Sequence, residues 1–263
     1  MNSTSTSDLI LDIKNLSLSF KIEYFKHDGL RDHFISMLKN PIVKLLQKSD
    51  RLKVLDEISL QVRKGERLGI IGVNGAGKTT LCRCINEMIY PDYGSIKVNG
   101  TKRAIFNSAI GILPELTGRE NAELLAAILY PELSTRELEE ILADSIEFSE
   151  LGHFIDTPYK NFSKGMQARL CLSLISAKGC DLLILDEVYD GADEFFRRKI
   201  VDRIHRLISS SGAVILVSHN PEQILSSCNR LVLLNNAKIE FDGAVEEGMS
   251  VYRNLMTVER KSL

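Results

Sequence analysis

The stretch that decides the fold is Gly72-Val73-Asn74-Gly75-Ala76-Gly77-Lys78-Thr79, which fits the pattern G-x-x-x-x-G-K-[ST]. The stretch 66–71 in front of it predicts a buried strand, and the stretch 79–90 behind it predicts a helix with apolar residues at helical spacing. Glycines allow a tight turn whose N–H groups approach phosphate oxygens, and the helix N-terminus adds a positive partial charge. The sequence therefore predicts a phosphate-binding loop.

Two side chains of this loop have expected roles in holding a nucleoside triphosphate. Lys78 is expected to reach the β- and γ-phosphates, and Thr79 is expected to place its hydroxyl on Mg²⁺. The residues expected to contact the nucleotide here are Gly72, Asn74, Gly75, Ala76, Gly77, Lys78, Thr79 and Thr80.

A second group of candidate residues follows an apolar stretch later in the chain, Asp181-Leu182-Leu183-Ile184-Leu185-Asp186-Glu187. In a P-loop protein, an Asp at the end of such a strand holds Mg²⁺, which assigns Asp186 as a metal ligand. Glu187 then has a free carboxylate beside the metal, well placed to orient or deprotonate a water molecule. The sequence predicts a site for hydrolysis of a phosphoanhydride.

Composition excludes several classes of protein. The 263 residues have a net charge of −2, with 44% hydrophobic and 26% charged residues, as in a soluble globular protein. The small net charge argues against binding of nucleic acid. No apolar run reaches the ~20 residues that span a bilayer, so we expect a cytoplasmic chain that reaches a membrane only through a partner. The five cysteines have no disulfide or metal spacing, which favours reduced thiols.

Strand-like and helix-like stretches alternate along the chain, which favours a mainly parallel sheet. The predicted strands are 9–13, 16–20, 54–62, 66–71, 95–100, 102–106, 181–185, 213–217, 230–234 and 238–241. We expect 95–100 and 102–106 to pair as a hairpin, because a turn signal separates them. Helices are predicted from Thr117 and from Ser134, each followed by Glu three residues later, and the tail 244–263 is predicted to be one terminal helix.

The segment Lys21–Lys53 differs from the rest of the chain. Its eight bases and four acids give it a net charge of +4, while the remainder carries −6. Apolar residues recur at helical spacing on both sides of Pro41, which predicts two short basic amphipathic helices. Two interpretations stay open: an insertion close to a membrane, and an insertion that packs on its own domain.

Three further stretches indicate a family. Phe162-Ser163-Lys164-Gly165-Met166-Gln167 precedes the acidic strand, Asp193 follows Glu187, and Val217-Ser218-His219 ends the next strand. In this order after the P-loop, they resemble the signature motif, D-loop and switch histidine of ATP-binding-cassette (ABC) ATPases. The resemblance spans nearly the whole chain.

The resemblance implies an α/β P-loop NTPase fold with a mainly parallel core sheet, an antiparallel β subdomain and a helical subdomain at about 112–178, in one domain over 1–263. It implies ATP and Mg²⁺ as ligands and a head-to-tail homodimer. Each ATP would lie between the P-loop of one copy and Ser163 and Gly165 of the other, with His219 on the γ-phosphate and Glu187 acting on the water.

A narrower resemblance concerns the stretches 114–121, 162–166 and 186–188. They are similar to the ATPase subunits of bacterial polysaccharide exporters, which export O-antigen, capsule or teichoic-acid chains, and so is the insertion at 21–53. This implies a polytopic permease of the cytoplasmic membrane that handles the polymer, with the ATPase peripheral on the cytoplasmic face.

The sequence departs from the family pattern at two places. Lys164 stands where most ABC ATPases have Gly, and this cation either adds to the γ-phosphate clamp or faces solvent. Asn107-Ser108 occupy the place of the Q-loop Gln, which leaves open how that loop positions water or metal. By position, Phe20 is the aromatic residue that stacks on adenine, with Tyr24 and Phe25 as alternatives.

Other functions remain as alternatives. One is the ATPase of a different exporter, and another is a non-transport ABC ATPase that acts on nucleic acid or ribosomes. The latter usually has long coiled-coil insertions or two tandem cassettes, and this sequence shows neither. A P-loop kinase for a small molecule is disfavoured by the signature and the switch histidine.

Overall fold

The structure is a computed structural model that describes residues 8–21, 51–106, 112–186, 194–218 and 220–259. Its strands are β1 (Leu9–Lys21), β2 (Arg51–Arg63), β3 (Arg67–Ile71), β4 (Tyr93–Val98), β5 (Lys102–Phe106), β6 (Leu182–Asp186), β7 (Ala213–Val217), β8 (Arg230–Asn235) and β9 (Lys238–Gly243). Its helices are α1 (Lys78–Ile85), α2 (Gly118–Leu129), α3 (Thr135–Ser149), α4 (Lys164–Ile175), α5 (Glu194–Ser210), α6 (Pro221–Ser227) and α7 (Val245–Glu259). Two 3₁₀ turns, Gly152–Asp156 and Tyr159–Asn161, lie between α3 and α4.

A six-stranded sheet in the order β5-β6-β7-β3-β8-β9 forms one part of the core. All of its strands are parallel except β9, which runs antiparallel to β8. Strands β6 and β7 are buried along their whole length, as expected for apolar strands covered on both faces. The expected mainly parallel sheet is confirmed.

A second sheet, in the order β2-β1-β4, is antiparallel throughout, which confirms the expected antiparallel β unit. The strands predicted at 9–13 and 16–20 are one long strand here. Asn15 has a left-handed φ of 48°, and the pairing of β1 shifts register around it. A local bulge of this kind interrupts the alternation of apolar residues without ending the strand.

The predicted hairpin of 95–100 with 102–106 is wrong. Strand β4 pairs with β1 in the antiparallel sheet, whereas β5 pairs in parallel with β6 in the other sheet. The turn between them is held to the start of β6, because the Asp181 carboxylate accepts hydrogen bonds from the Thr101 N–H at 2.7 Å and from its hydroxyl at 2.9 Å. The turn therefore moves the chain from one sheet to the other.

The helix after the P-loop is shorter than predicted. It ends at Ile85, not at Tyr90, with Asn86 as its C-cap. Glu87 has a left-handed φ of 59°, which a continuing α-helix excludes. Leu81 and Ile85 nevertheless lie in the hydrophobic core that also contains residues of both sheets, so the helix is packed between them.

Helices α2, α3 and α4 share a separate buried cluster, and we refer to them as the helical group. Thr117 and Ser134 cap α2 and α3, each in a full capping box with the glutamate three residues on, as the sequence predicts. The Thr117 N–H and hydroxyl both donate to Glu120, and these bonds hold the pKa of Glu120 below its ordinary value.

A buried arginine joins the helical group to the parallel sheet. Arg103 on β5 is 3% exposed, and its guanidinium lies 4.1 Å from the centre of the Tyr130 ring. It donates to the carbonyl oxygens of Leu129, Lys178 and Gly179 at 3.1, 2.7 and 2.9 Å and to the Glu132 carboxylate at 2.8 Å. Tyr130 in turn donates to the Leu174 carbonyl of α4 at 2.5 Å. Arg103 thus fixes the ends of α2 and α4 next to the sheet.

Every helix within the described ranges is too short or too polar to cross a membrane.

Candidate nucleotide-binding site

The predicted phosphate-binding loop connects β3 to α1, which is the order that the sequence indicates. Two of its glycines are required by geometry. Gly77, the N-cap of α1, has a φ of +100°, and a Cβ there would meet the Val54 carbonyl oxygen at 2.6 Å. A Cβ on Gly72 would clash with the Leu234 carbonyl oxygen. The loop therefore packs its main chain against β2 and β8, an arrangement that leaves its N–H groups able to approach phosphates.

Lys78 folds over the loop that it terminates. Its ammonium group donates to the carbonyl oxygens of Gly72 at 2.8 Å and Val73 at 3.0 Å. The cation is thereby held above the turn while Asn74 and Gly75 are exposed at the tip. A triphosphate bound on this loop would meet both the positive charge and the N-terminus of α1.

Asp186 is the last residue of β6 and is only 5% exposed. Burial raises the pKa of the Cys82 thiol on α1 well above its ordinary value, and the nearby charge of Asp186 raises it further. Strand β6 packs against α1, so the carboxylate stands at the end of a strand that contacts this helix. Thr79 precedes Cys82 by three residues and so lies on the same side of that helix. A threonine hydroxyl and a buried carboxylate form a donor set that fits Mg²⁺.

Phe20 lies near the mouth of the loop. It is paired with Leu52 across β1 and β2, and the two side chains, 42% and 55% exposed, share one face of the sheet. Two residues further along β2 is Val54, whose main chain contacts Gly77. An exposed apolar pair thus stands beside the phosphate loop, in a position suited to stacking on a base. Tyr24 and Phe25 lie outside the described residues.

Ser163 and Gly165 lie at the start of α4, in the helical group. Ser163 is exposed and caps the helix, because its hydroxyl accepts a hydrogen bond from the Met166 N–H at 3.2 Å. Lys164 is exposed as well. The neighbouring Phe162 belongs to the cluster of the helical group and Ala76 of the P-loop to the cluster between the sheets, so packing among the described residues does not unite the two motifs.

Several predicted site residues lie outside the described residues: Glu187, Asp193, His219, Asn107 and Ser108. The two flanks of position 219 are well defined. The buried Ser218 hydroxyl donates to Gln223 at 2.7 Å and accepts from the Asn220 N–H at 3.0 Å. Residue 219 therefore follows the carboxyl end of β7, the strand that lies between the P-loop strand and β6.

The family model described as ABC transporter matches residues 55–190, a range that begins in β2 and includes the P-loop, the signature stretch and Asp186. The chain belongs to the ABC transporter family. It is an ABC ATPase, and its fold class is the one that the sequence predicts.

Curated relatives of this ABC chain cover most of its length. It is 32% identical over 247 residues to the O-antigen export system ATP-binding protein RfbB of Klebsiella pneumoniae, which covers 94% of this chain and 98% of that protein. It is 30% identical over 246 residues to the teichoic acids export ATP-binding protein TagH of Staphylococcus haemolyticus, with 94% and 89% covered.

A solved structure has the same fold. The ATP-binding cassette MJ0796, in a dimeric post-hydrolysis state bound to ADP and Pi, aligns with a TM-score of 0.66 at 18% identity. The alignment covers 90% of this ABC chain and 99% of that chain. At this level of identity the likeness concerns the fold.

Sequence reasoning assigned no role to three polar residues that the structure shows to be structurally important. Arg103 and Asn121 are buried with several hydrogen bonds each, and Cys82 is fully buried in the core between the two sheets. Asn121 stands within the stretch 114–121. A polar residue inside a predicted helix was the signal in the sequence that could have indicated its buried, hydrogen-bonded position. Arg103 had no signal, because its partners are main-chain carbonyl oxygens far along the chain.

Proposed function

We propose that this chain binds and hydrolyses ATP to drive export of a cell-surface polysaccharide through a separate permease. The observation that carries the ATPase part is the arrangement of the P-loop, with Lys78 folded over it, and the buried Asp186 at the end of β6, the strand that packs against α1. The polysaccharide part is supported by relatives named for O-antigen and teichoic acid export.

The proposed chemistry is positioning and charge neutralisation. Lys78 binds the β- and γ-phosphates, and Phe20 stacks on adenine. Thr79 and Asp186 hold Mg²⁺, which supplies positive charge to the phosphate oxygens. Glu187 orients the attacking water and takes its proton, while His219 contacts the γ-phosphate. The other P-loop contacts come from Gly72, Asn74, Gly75, Ala76, Gly77 and Thr80.

We propose that the active unit is a head-to-tail homodimer. Ser163 and Gly165 stand at a helix N-terminus outside the cluster that holds the P-loop, and a helix N-terminus favours an anion. In a head-to-tail pair, the P-loop of one subunit would hold the γ-phosphate, and Ser163 of the partner subunit would donate a hydrogen bond to it. Each dimer then has two composite sites, and closure on ATP followed by opening after hydrolysis is the stroke passed to the permease.

A mixing experiment tests the composite site. Ser163→Arg places a bulky charge at the signature, and Lys78→Ala disables the P-loop, so each homodimer should be inactive. A heterodimer puts both lesions into one site and leaves the other intact. We expect steady-state ATPase activity to return on mixing, up to about half of the wild-type rate per dimer if the intact site turns over alone.

Two results would count against this arrangement. An active Ser163→Arg homodimer would remove the signature from the site. Two inactive homodimers that stay inactive on mixing, although size-exclusion chromatography shows heterodimers, would contradict a site shared between subunits.

We further propose that residues 1–263 form one ATP-binding domain with a helical subdomain at about 112–178 and a C-terminal helix within 244–263. This domain would sit on the cytoplasmic face of the cell membrane beside the permease. The basic insertion at 21–53 would face the permease and the lipid headgroups, since basic residues near an anionic leaflet contribute roughly 1 kcal/mol each. Residues 22–50 lie outside the described residues, so charge and placement in the chain carry this proposal.

Reversing three charges of the insertion tests its orientation. We expect that polymer export in cells is abolished by simultaneous replacement of Lys39, Lys44 and Lys48 with Glu. The purified variant should keep its basal ATPase rate and its melting temperature. Export measured by surface staining of the polymer, beside ATPase assays on the purified variant, would check this.

The matched control replaces three exposed lysines by Glu: Lys64 in the turn after β2, Lys97 on β4 and Lys238 on β9. This variant has the same change in net charge and should export normally. Normal export by the insertion variant would exclude the membrane-facing role, and a lowered melting temperature would favour packing of the insertion on its own domain.

A further inference from the structure

Two segments of the helical group, one before α2 and one before α4, are joined into one unit. The first, Leu113–Gly118, leads into α2, and the second, Thr157–Phe162, leads into Ser163. Three main-chain hydrogen bonds connect them, from the N–H of Gly118 to Thr157 at 3.1 Å, of Tyr159 to Leu116 at 2.8 Å and of Lys160 to Pro114 at 2.9 Å. Two ion pairs flank these bonds, Lys160 with Glu115 at 2.6 Å and Arg119 with Asp156 at 2.7 Å.

Asn121 fixes the shape of the first segment. It is completely buried, and its side-chain oxygen accepts from the Leu113 N–H at 2.8 Å. Its amide nitrogen donates to the carbonyl oxygens of Leu113, Leu116 and Thr117 at 2.9, 3.3 and 3.0 Å. A buried side chain with this many partners makes the loop rigid, because any loop movement would leave buried polar groups unsatisfied.

Gly118 makes the contact that reaches the signature. A Cβ on Gly118 would stand 2.5 Å from the tip of the Phe162 ring and 2.9 Å from the Ile155 carbonyl oxygen. Phe162 also stacks on Tyr159, with ring centres 5.1 Å apart, and its own carbonyl accepts from Gln167 at 3.3 Å. The ring is therefore clamped between Gly118 and Tyr159, and the next residue is Ser163.

The backbone itself does not require glycine at this position. Gly118 is the first residue of α2, and its φ is not among the left-handed values of the described residues. In a helix interior, alanine is favoured over glycine by about 0.5–1 kcal/mol, and at this first helical position alanine would also fit the backbone. The close approach of the Phe162 ring and of the Ile155 carbonyl oxygen is the structural reason for the missing side chain.

We propose that Gly118 is a positioning residue for ATP hydrolysis. Because it has no side chain, Gly118 leaves room for the Phe162 ring. The position of this ring sets the direction in which Ser163 and the N-terminus of α4 face the γ-phosphate held by the other subunit. The inference rests on the proposed function, because it needs the signature to act across the dimer. Gly118 would then affect hydrolysis at the site that contains the partner's P-loop, and not nucleotide binding by the P-loop of its own chain.

The first test is Gly118→Ala. We expect equilibrium binding of a fluorescent ATP analogue to stay within twofold of wild type, because the P-loop lies in another cluster. The kcat for ATP should fall by about 10²-fold, the cost of a misplacement near 1 Å. Phe162→Leu alone should lower kcat by a smaller factor. The double variant Gly118→Ala/Phe162→Leu should regain part of the activity, since the smaller side chain removes the contact with the ring while the contact with the Ile155 carbonyl oxygen remains.

Gly152→Ala is the matched control. Gly152 lies in the 3₁₀ turn after α3 with a left-handed φ of +54°, where a Cβ would have no atom within 4 Å. Alanine there strains the backbone without touching the signature, so this variant should lower the melting temperature and keep the wild-type kcat. If Gly118→Ala lacks a cooperative thermal transition, Phe162→Leu replaces it in the test, since this variant removes the ring from its position next to Gly118 without adding bulk. An unchanged kcat in Gly118→Ala, or in Phe162→Leu where Gly118→Ala does not fold, would overturn the proposal.

The decisive readout is mixing with Lys78→Ala. If Gly118 acts through Ser163, the heterodimer of Gly118→Ala with Lys78→Ala has both altered residues at one composite site and an intact second site. Its ATPase activity should then rise well above that of either homodimer. If Ser163→Arg is rescued by Lys78→Ala but Gly118→Ala is not, Gly118 acts within its own chain and the inference is wrong. If neither variant is rescued, the composite site of the proposed function fails, and this inference fails with it.

Discussion

Glu187→Gln should abolish steady-state ATP hydrolysis, with a loss of about 10²–10⁴-fold, while ATP still binds. The reason is that the amide keeps the size of the side chain but cannot take a proton from the attacking water. The P-loop and Asp186 are unchanged, so the nucleotide should be trapped and the dimer should stay closed. Phosphate release and size-exclusion chromatography with ATP and Mg²⁺ would measure the two effects.

Glu240→Gln serves as the control for this variant. Glu240 is an exposed carboxylate on β9, and the same change there should leave both the rate and the oligomeric state at wild-type values. A Glu187→Gln protein that hydrolyses ATP at the wild-type rate would show that Glu187 is not the base.

Lys78→Ala should lower both nucleotide affinity and activity. Hydrogen bonds to charged groups contribute about 1.5–3 kcal/mol, so affinity for ATP should fall roughly 10- to 150-fold. The lysine also donates to the carbonyl oxygens of Gly72 and Val73, and its loss removes these two bonds from the loop. Titration with a fluorescent ATP analogue gives the affinity, and a phosphate assay gives the rate.

The two variants should differ in ATP binding, since Glu187→Gln still binds ATP and Lys78→Ala binds it poorly. Lys97→Ala, an exposed lysine of β4, is the control and should match wild type in both assays. Unchanged affinity together with unchanged turnover in Lys78→Ala would remove this lysine from the site.

Much of the fold could be predicted from local sequence. The buried strand β7 was predicted with its exact bounds of 213–217, and the helix starts after Thr117 and Ser134 were predicted from their capping boxes. These features depend on neighbours in the chain, where periodicity and side-chain chemistry are sufficient.

The failed predictions depended on distant contacts. A glycine turn predicts that the chain changes direction after 95–100, but not which strand the next one joins. That choice was decided by Asp181, eighty residues beyond Thr101. Likewise, the strand predicted at 181–185 is found at 182–186, because Asp186 pairs with Phe106 and Val217 on the two neighbouring strands.

The candidate site divides in the same way. The P-loop and Asp186 were predicted from motif and position; the P-loop leads into α1, and Asp186 ends β6, the strand that packs against this helix. The buried polar contacts that support the signature, such as those of Asn121, could not be predicted because their acceptors are carbonyl oxygens, which every residue has. The roles of Glu187 and His219 stay predictions.

The buried Arg103 has a mechanical consequence. It fixes the chain just beyond the end of α4, through Lys178 and Gly179, while Ser163 stands at the opposite end of that helix. The 12 residues of α4 make a lever arm of about 18 Å. A tilt of about 10° around the fixed end would swing Ser163 by about 3 Å, the length of one hydrogen bond. A small rotation at the sheet is thus sufficient to make or break the contact with the nucleotide.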